Sequence, residues 1–296
     1  MLIANLAALG AALCWAAGGL IAIGPVRAIG PVAFNRLRMS IVFVGLAAAA
    51  SLLGGWRTLD PASVAILALS GAVGIVLGDT ALFWALGRLG PRRNTVVYAT
   101  NAPLTALLAW AVLGEALGPW TVLGIALVTA GVMLAVLFRS GAQTHDWEAV
   151  RGHLAAGVAV CLGAALCQAA GSIIAKPAMA AGADPIAAAA VRVGTSALLL
   201  LGGGLLPGQR VGFGPGLRPR IVAQVALNGF IGLGLGMTLL LVGLAHGNAG
   251  VVATLSATSP VLILPMLWAL TRQCPGPGAW AGAAVAVAGV VLIVNR

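Results

Sequence analysis

The chain has 296 residues, of which 61% are hydrophobic and only 7% are charged. Soluble domains carry about 25% charged residues, so this composition excludes a water-facing globular protein and indicates an integral membrane protein whose partner is the lipid bilayer. The formal net charge of +10 does not indicate a nucleic-acid partner, because no basic stripe with interleaved aromatic residues exists.

The apolar runs are about 20 residues long, which is the length of a membrane-spanning helix. They are apolar on all faces, whereas the strands of a membrane barrel alternate over about 10 residues. Gly, Pro and charged residues punctuate these runs, and the N-terminal run lacks the basic region of a cleaved signal peptide. The predicted helices lie near 2–23, 32–53, 62–88, 93–113, 119–138, 153–178, 185–206, 220–245, 249–271 and 277–295.

The two halves of the chain are related in sequence. Residues 74–136 align with residues 232–294 without a gap at an offset of 158, and the early parts align at a slightly smaller offset. Each half has five predicted helices, and an odd number forces the second half to cross the membrane upside down.

We therefore predict an all-α membrane protein with ten transmembrane helices in two inverted five-helix repeats. The first repeat covers 1–138, a polar connector covers 139–152, and the second repeat covers 153–296. This design is typical of secondary transporters, in which the substrate site lies between the halves near the midplane. Most Arg and Lys residues fall in the odd-numbered loops, which predicts that those loops are cytoplasmic and that both termini are outside.

Short motifs recur in a fixed order along both halves, namely Trp15-Ala16-Ala17-Gly18, Arg38, Pro103 to Ala109, Gly114-Glu115, Gly124, Ala130-Gly131-Val132 and Arg192. Together they resemble the motifs of the EamA-type drug/metabolite transporters. The resemblance implies ten helices in two repeats and the export or exchange of small metabolites, with aromatic amino acid exporters as the most similar branch. It also implies a multi-pass protein of the bacterial inner membrane that works without a cofactor and can be monomeric.

The second half departs from this family pattern. Ser259 stands before Pro260, where the family often has Glu, and Arg272-Gln273 replaces the second Gly-Glu pair. Carboxylate-based proton coupling is therefore not implied for this half.

Asp79 is the only carboxylate well inside an apolar segment, and an intramembrane ionisable group indicates a functional site by default. It is predicted to hold a substrate ammonium group, to carry a proton, or to form a structural ion pair with Arg88. Lys176, the only lysine, either pairs with a substrate carboxylate or extends to the membrane interface. Arg38 and Arg192 are expected to anchor headgroups or cap carbonyls rather than to line a cavity.

The fourth and ninth predicted helices carry polar residues beside prolines. Proline removes a backbone hydrogen bond, and polar side chains can satisfy the freed carbonyls. Transporters also use interrupted helices at matching places in both halves to present backbone groups to substrate. The residues are Tyr98, Thr100, Asn101 and Pro103 in one half, and Ser256, Thr258, Ser259, Pro260 and Pro265 in the other.

The predicted substrate site combines these residues with aromatic and amide groups. Trp15 and Gln168 occupy equivalent positions in the two halves, so the two walls of a central site should differ, and Trp84 adds aromatic surface. The predicted binding residues are Trp15, Asp79, Trp84, Tyr98, Asn101, Gln168, Lys176, Ser256 and Ser259, and the predicted helix breaks are Pro103, Pro260 and Pro265. The fifth and tenth helices keep Gly on one face and are assigned to mutual packing.

These patterns favour a transporter that moves a small molecule by alternating access. Amino acids with aromatic or apolar side chains are the first candidate substrates, and sugars, nucleotide-linked metabolites or organic cations are the alternatives. A channel would need a selectivity filter, and an enzyme would need a catalytic constellation. The sequence offers neither, so we expect no catalytic residues, and the spacing of His and Cys indicates no metal site.

Overall fold

The computed structural model describes residues 1–138, 153–203, 217–272 and 274–295, and within these residues all regular structure is helical. The connector predicted at 139–152 lies outside the described residues. The α-helices are α1 (Leu2–Ile29), α2 (Pro31–Leu52), α3 (Pro61–Gly71), α4 (Gly78–Tyr98), α5 (Asn101–Leu113), α6 (Pro119–Leu137), α7 (Leu154–Ala180), α8 (Pro185–Gly203), α9 (Pro219–Gly229), α10 (Met237–His246), α11 (Ala249–Ser256), α12 (Ser259–Thr271) and α13 (Pro277–Val294).

Ten stretches of the described residues are long and apolar enough to span a bilayer, in agreement with the ten predicted helices. Several begin with Pro in the first helical turn, where the missing N–H has no intrahelical partner to lose. The spans, numbered in this order below, are Leu2–Ala22, Val32–Leu52, Pro61–Leu86, Arg93–Leu113, Pro119–Leu137, Leu154–Ala180, Pro185–Gly202, Pro219–His246, Ala249–Leu270 and Pro277–Val294.

The fifth and tenth spans pack against each other in opposite directions. A Cβ atom added at Gly131 would lie 2.3 Å from the backbone nitrogen of Ala286, and one added at Gly289 would lie 2.7 Å from that of Val128. At the repeat offset of 158, Gly131 corresponds to Gly289 and Val128 corresponds to Ala286, so the two contacts are equivalent. Equivalent helices that run antiparallel are what an inverted repeat requires, so the predicted inversion is confirmed, as is the predicted packing of these two helices.

The first span of each half packs into the opposite half. Ser70 Oγ in the third span donates a hydrogen bond of 2.6 Å to the carbonyl of Gly171 in the sixth span. Asn228 Nδ2 in the eighth span donates an equivalent bond of 2.6 Å to the carbonyl of Gly18 in the first span. The two halves are therefore intertwined, and both contribute to the space at the centre of the bundle.

The third and eighth spans each contain a π-helical segment, at Ala72–Leu77 and Phe230–Gly236. The two segments occupy equivalent positions of the repeat, and the sequence analysis did not predict them. π-Helical turns inside α-helices are frequent at functional sites. Glycines recur at matching positions around them, namely Gly71, Gly74 and Gly78 in the first half and Gly229, Gly232 and Gly236 in the second.

Candidate functional site

A cavity of about 400 Å³ lies at the centre of the bundle. Its wall is mostly apolar, and a few polar side chains interrupt it. The third and fourth spans of the first half and the sixth, eighth and ninth spans of the second half all contribute wall residues. This size and composition are those of a small-molecule site, for which volumes of about 300–1,000 Å³ are usual.

The cavity extends toward one side of the bundle. We call the side on which residues 1 and 295 lie the terminal face, and the other side the cavity face. The first span lines the cavity with its second half, from Trp15 to Ala22, which is the half nearer the cavity face. At the terminal face the helices are in close contact, since a Cβ atom added at Gly250 would lie 2.7 Å from Cα of Ala106. The cavity is therefore closed at the terminal face.

The predicted breaks in the fourth and ninth spans form part of the cavity wall. The fourth span is interrupted between α4 and α5, and the ninth between α11 and α12, at positions related by the repeat. Asn101 Nδ2 donates to the carbonyl of Tyr98 at 3.0 Å, and Ser259 Oγ donates to the carbonyl of Ser256 at 3.1 Å. These side chains satisfy carbonyls that the breaks leave free, and they line the cavity at the same time.

Arg38 and Asp79 place opposite charges on the cavity wall. Arg38 Nη2 donates to Asn35 Oδ1 at 2.6 Å, and its guanidinium lies 5.2 Å from the ring centroid of Phe34. Its Nε has no hydrogen-bond partner. Arg38 and Asp79 attract each other electrostatically, without the direct contact of a salt bridge. The expectation that Arg38 anchors headgroups is wrong, because its side chain lines the cavity.

The structure does not pair Asp79 with Arg88. The Arg88 guanidinium stacks on the indole of Trp84, at 3.8 Å from the ring centroid. Trp84 is 41% exposed and does not line the cavity. The structure therefore corrects the prediction that Trp84 lies in the site. Its indole faces outward and forms a cation–π contact with Arg88.

The structure brings most of the predicted site residues together. Pro103 lies in the first turn of α5 and Pro265 inside α12, and neither lines the cavity. The predicted residues that do line it are Trp15, Asp79, Tyr98, Asn101, Gln168, Ser256, Ser259 and Pro260.

Lys176 lies away from the cavity, at the terminal face, and this corrects its predicted place in the binding site. Its Nζ donates to the carbonyls of Leu244 and Gly247 at 2.6 Å and 2.5 Å. It lies 3.8 Å from Glu115 Oε1, and Glu115 Oε2 accepts a hydrogen bond of 2.7 Å from the backbone nitrogen of Ala249. We call these residues the terminal latch, because they join the ends of the fourth, sixth, eighth and ninth spans.

Replacing Lys176 by Met should make the terminal face open more often. The substitution removes two hydrogen bonds from a charged donor, each of which contributes about 1.5–3 kcal/mol. We expect a cysteine at position 4, which is buried beside Gly247, to react at least tenfold faster with a water-soluble maleimide, because the loss of even one such bond exceeds the roughly 1.4 kcal/mol that a factor of ten requires. The measurement uses protein whose four native cysteines are replaced by Ala. His246→Gln, at the same face, is the control, and unchanged labelling of Lys176→Met would refute the latch.

Sequence reasoning missed Asn228, which lines the cavity. Its Oδ1 atom is buried and has no hydrogen-bond partner, while its Nδ2 atom is bonded to Gly18. One signal could have found it: Asn228 aligns with Ser70 at the repeat offset, so a polar residue recurs at the same point of two otherwise apolar spans.

Comparisons with known proteins agree with this architecture. The model of the EamA-like transporter family matches residues 2–137 and 155–295. No curated protein sequence matches the chain significantly. One crystal structure of a protein aligns with a TM-score of 0.81 and 19% sequence identity, over 99% of this chain and 96% of that chain. At this identity the likeness shows the fold alone.

Proposed function

Since the chain belongs to the EamA-like transporter family, we propose that it exports amino acids with aromatic or other apolar side chains. Members of this family are transporters and not enzymes, so the chain is a multi-pass membrane transporter of the drug/metabolite superfamily. Alternating access across the bacterial inner membrane, by a single copy of the chain, is the simplest mechanism for an inverted repeat with a central cavity.

The pair of opposite charges in an apolar cavity is the observation that supports an amino acid substrate. The free Nε of Arg38 can donate to a carboxylate, and the Asp79 carboxylate can accept from an ammonium group. A zwitterion matches both charges, whereas an organic cation would leave Arg38 uncompensated. In a medium of low dielectric constant such an unpaired charge is costly.

Aromatic groups in the same wall support an apolar side chain on the substrate. The Trp15 indole donates from Nε1 to the carbonyl of Gly232 at 3.0 Å, so this bond fixes the orientation of the ring. Tyr98 adds a second ring to the cavity wall. Aromatic pairs contribute about 0.5–1.5 kcal/mol beyond the area that they bury, which favours aromatic over small side chains.

Counterflow in reconstituted vesicles tests the proposal. Vesicles loaded with L-phenylalanine should accumulate external labelled L-phenylalanine with saturation, and cells that overproduce the protein should survive toxic aromatic analogues. Trp15→Ala should remove most of that protection, because the fixed indole is lost. Trp110→Ala is the matched control, since Trp110 is 64% exposed on the outside of the bundle. Counterflow of sugars, nucleotide-linked metabolites or organic cations without amino acids would overturn the substrate, and unsaturable conductance would indicate a channel.

A further inference from the structure

Arg192 is a charged residue without a counter-charge in the interior of the bundle. It lies in the seventh span with 0% of its surface exposed. Its Nη1 contacts the Met237 sulfur at 3.5 Å, and its Nε and Nη2 have no hydrogen-bond partner. Within the described residues, no carboxylate lies within 4.0 Å of it. A buried cation of this kind is strongly unfavourable, so it needs an explanation beyond packing.

The repeat relates Arg192 to Arg38 of the cavity wall. Each arginine follows the first residue of its helix, Pro31 or Pro185, by seven positions. Each also packs on a glycine that precedes a π-helical segment of the opposite half. A Cβ atom added at Gly71 would lie 2.5 Å from the carbonyl oxygen of Arg192, and one added at Gly229 would lie 3.1 Å from Cγ of Arg38.

The surroundings of the two arginines differ in charge and in access. Arg38 faces the open cavity together with Asp79. The residue equivalent to Asp79 in the second half is Met237, at the offset of 158, and Met237 is the residue that Arg192 contacts. The second half therefore has the cation but not the acid of the first half, and its cation is sealed.

The two arginines also lie at different depths. The second span starts at the cavity face and the seventh at the terminal face, so seven residues at 1.5 Å each put the arginines about 10 Å from opposite faces. In an inverted repeat, the two halves exchange their conformations when access alternates. That exchange would expose Arg192 on the side of the terminal face and seal Arg38.

We propose that Arg192 is a second carboxylate-binding residue, which receives the substrate carboxylate from Arg38 when the terminal face opens. The inference rests on the proposed function, because it requires a substrate with a carboxylate. The substrate supplies the anion that Met237 does not provide. Because no acid stands beside Arg192 for the substrate ammonium, binding is weaker at this face, and the substrate is released there.

Arg192→Gln separates transport from binding. With the protein in the conformation described here, Arg192→Gln should change the equilibrium affinity for L-phenylalanine in detergent less than threefold, while Arg38→Gln lowers it at least tenfold. Counterflow in vesicles should fall at least 20-fold for both. Arg192→Lys, which keeps the charge, should recover part of the counterflow.

Met237 gives an independent test if Arg192→Gln does not fold. Met237 also lines the cavity, so Met237→Asp, which places a permanent acid beside Arg192, is compared with Met237→Asn, of the same size but uncharged. Counterflow by the Asp variant should be at least tenfold lower than by the Asn variant. Equal counterflow for these two variants, or wild-type counterflow by Arg192→Gln, would overturn the role of Arg192 while the proposed function stands. If the wild-type protein binds no compound with a carboxylate, the proposed function fails and the inference falls with it.

Discussion

Replacing Asp79 by Asn should weaken the binding of a zwitterionic amino acid about 100-fold. Asp79 is the acidic residue of the cavity wall among the described residues, so its loss leaves the substrate ammonium without a counter-charge. A hydrogen bond to a charged group contributes about 1.5–3 kcal/mol, and about 2.7 kcal/mol corresponds to a factor of 100. Isothermal titration of purified protein with L-phenylalanine measures the effect.

A ligand without the ammonium group isolates this contact. The affinity for 3-phenylpropanoate should not fall in Asp79→Asn and should rise if anything, because this ligand has no ammonium group to lose a partner and its carboxylate is no longer repelled by Asp79. Thr80→Val is the matched control, since Thr80 is the next residue of the helix and is exposed. Equal losses for both ligands in Asp79→Asn would mean that the carboxylate supports the structure and does not bind the substrate.

Replacing Gly131 by Ala should destabilise the bundle strongly. The new Cβ atom would lie 2.3 Å from the backbone nitrogen of Ala286 and 2.7 Å from the carbonyl oxygen of Gly282. Backbone atoms cannot rotate away as side chains can, so α6 and α13 must separate. Overpacking of this kind costs about 1–3 kcal/mol, and sometimes more. The melting temperature in detergent, followed by the fraction of monodisperse protein after heating, measures the loss.

A glycine in open surroundings provides the comparison. A Cβ atom added at Gly163, in the sixth span, meets nothing within 4 Å, so Gly163→Ala should melt at the wild-type temperature or slightly above it. If Gly131→Ala also melts like wild type, the close approach of α6 and α13 does not stabilise the bundle.

The architecture was predictable because it depends on features that repeat along the chain. Apolar runs of about 20 residues marked the spans, and the duplication together with an odd number of spans per half predicted their inversion. The breaks in the fourth and ninth spans could be predicted from Asn101 and Ser259, which fall at matching positions near prolines.

The corrected residues depend on contacts between spans distant in sequence. Lys176 binds carbonyls of Leu244 and Gly247, about 70 residues later in the chain, and nothing near Lys176 in the sequence indicates those partners. Arg38 belongs to the same group, because its place on the cavity wall depends on how the second span packs against the eighth. In the sequence, the π-helical segments are marked only by their recurring glycines. Close packing of helices produces the same pattern, so the glycines alone do not predict π-helical turns.

The terminal latch has a kinetic consequence for the transport cycle. Its two charged members have no counterparts in the repeat, since Ile23 and Gln273 stand at the positions equivalent to Lys176 and Glu115. The terminal face is therefore held shut by an ionic contact that the repeat does not reproduce at the equivalent positions, and the empty carrier should spend most of its time with the terminal face closed. An asymmetry of this kind changes the rates of the two halves of the transport cycle, because opening the terminal face requires breaking the latch and opening the cavity face does not.

The terminal latch cannot change the ratio of substrate concentrations that the two sides of the membrane reach at equilibrium. A conformational preference of the carrier alters the populations of its states but favours neither direction of net transport. Accumulation against a gradient must then draw on a second solute or on the membrane potential.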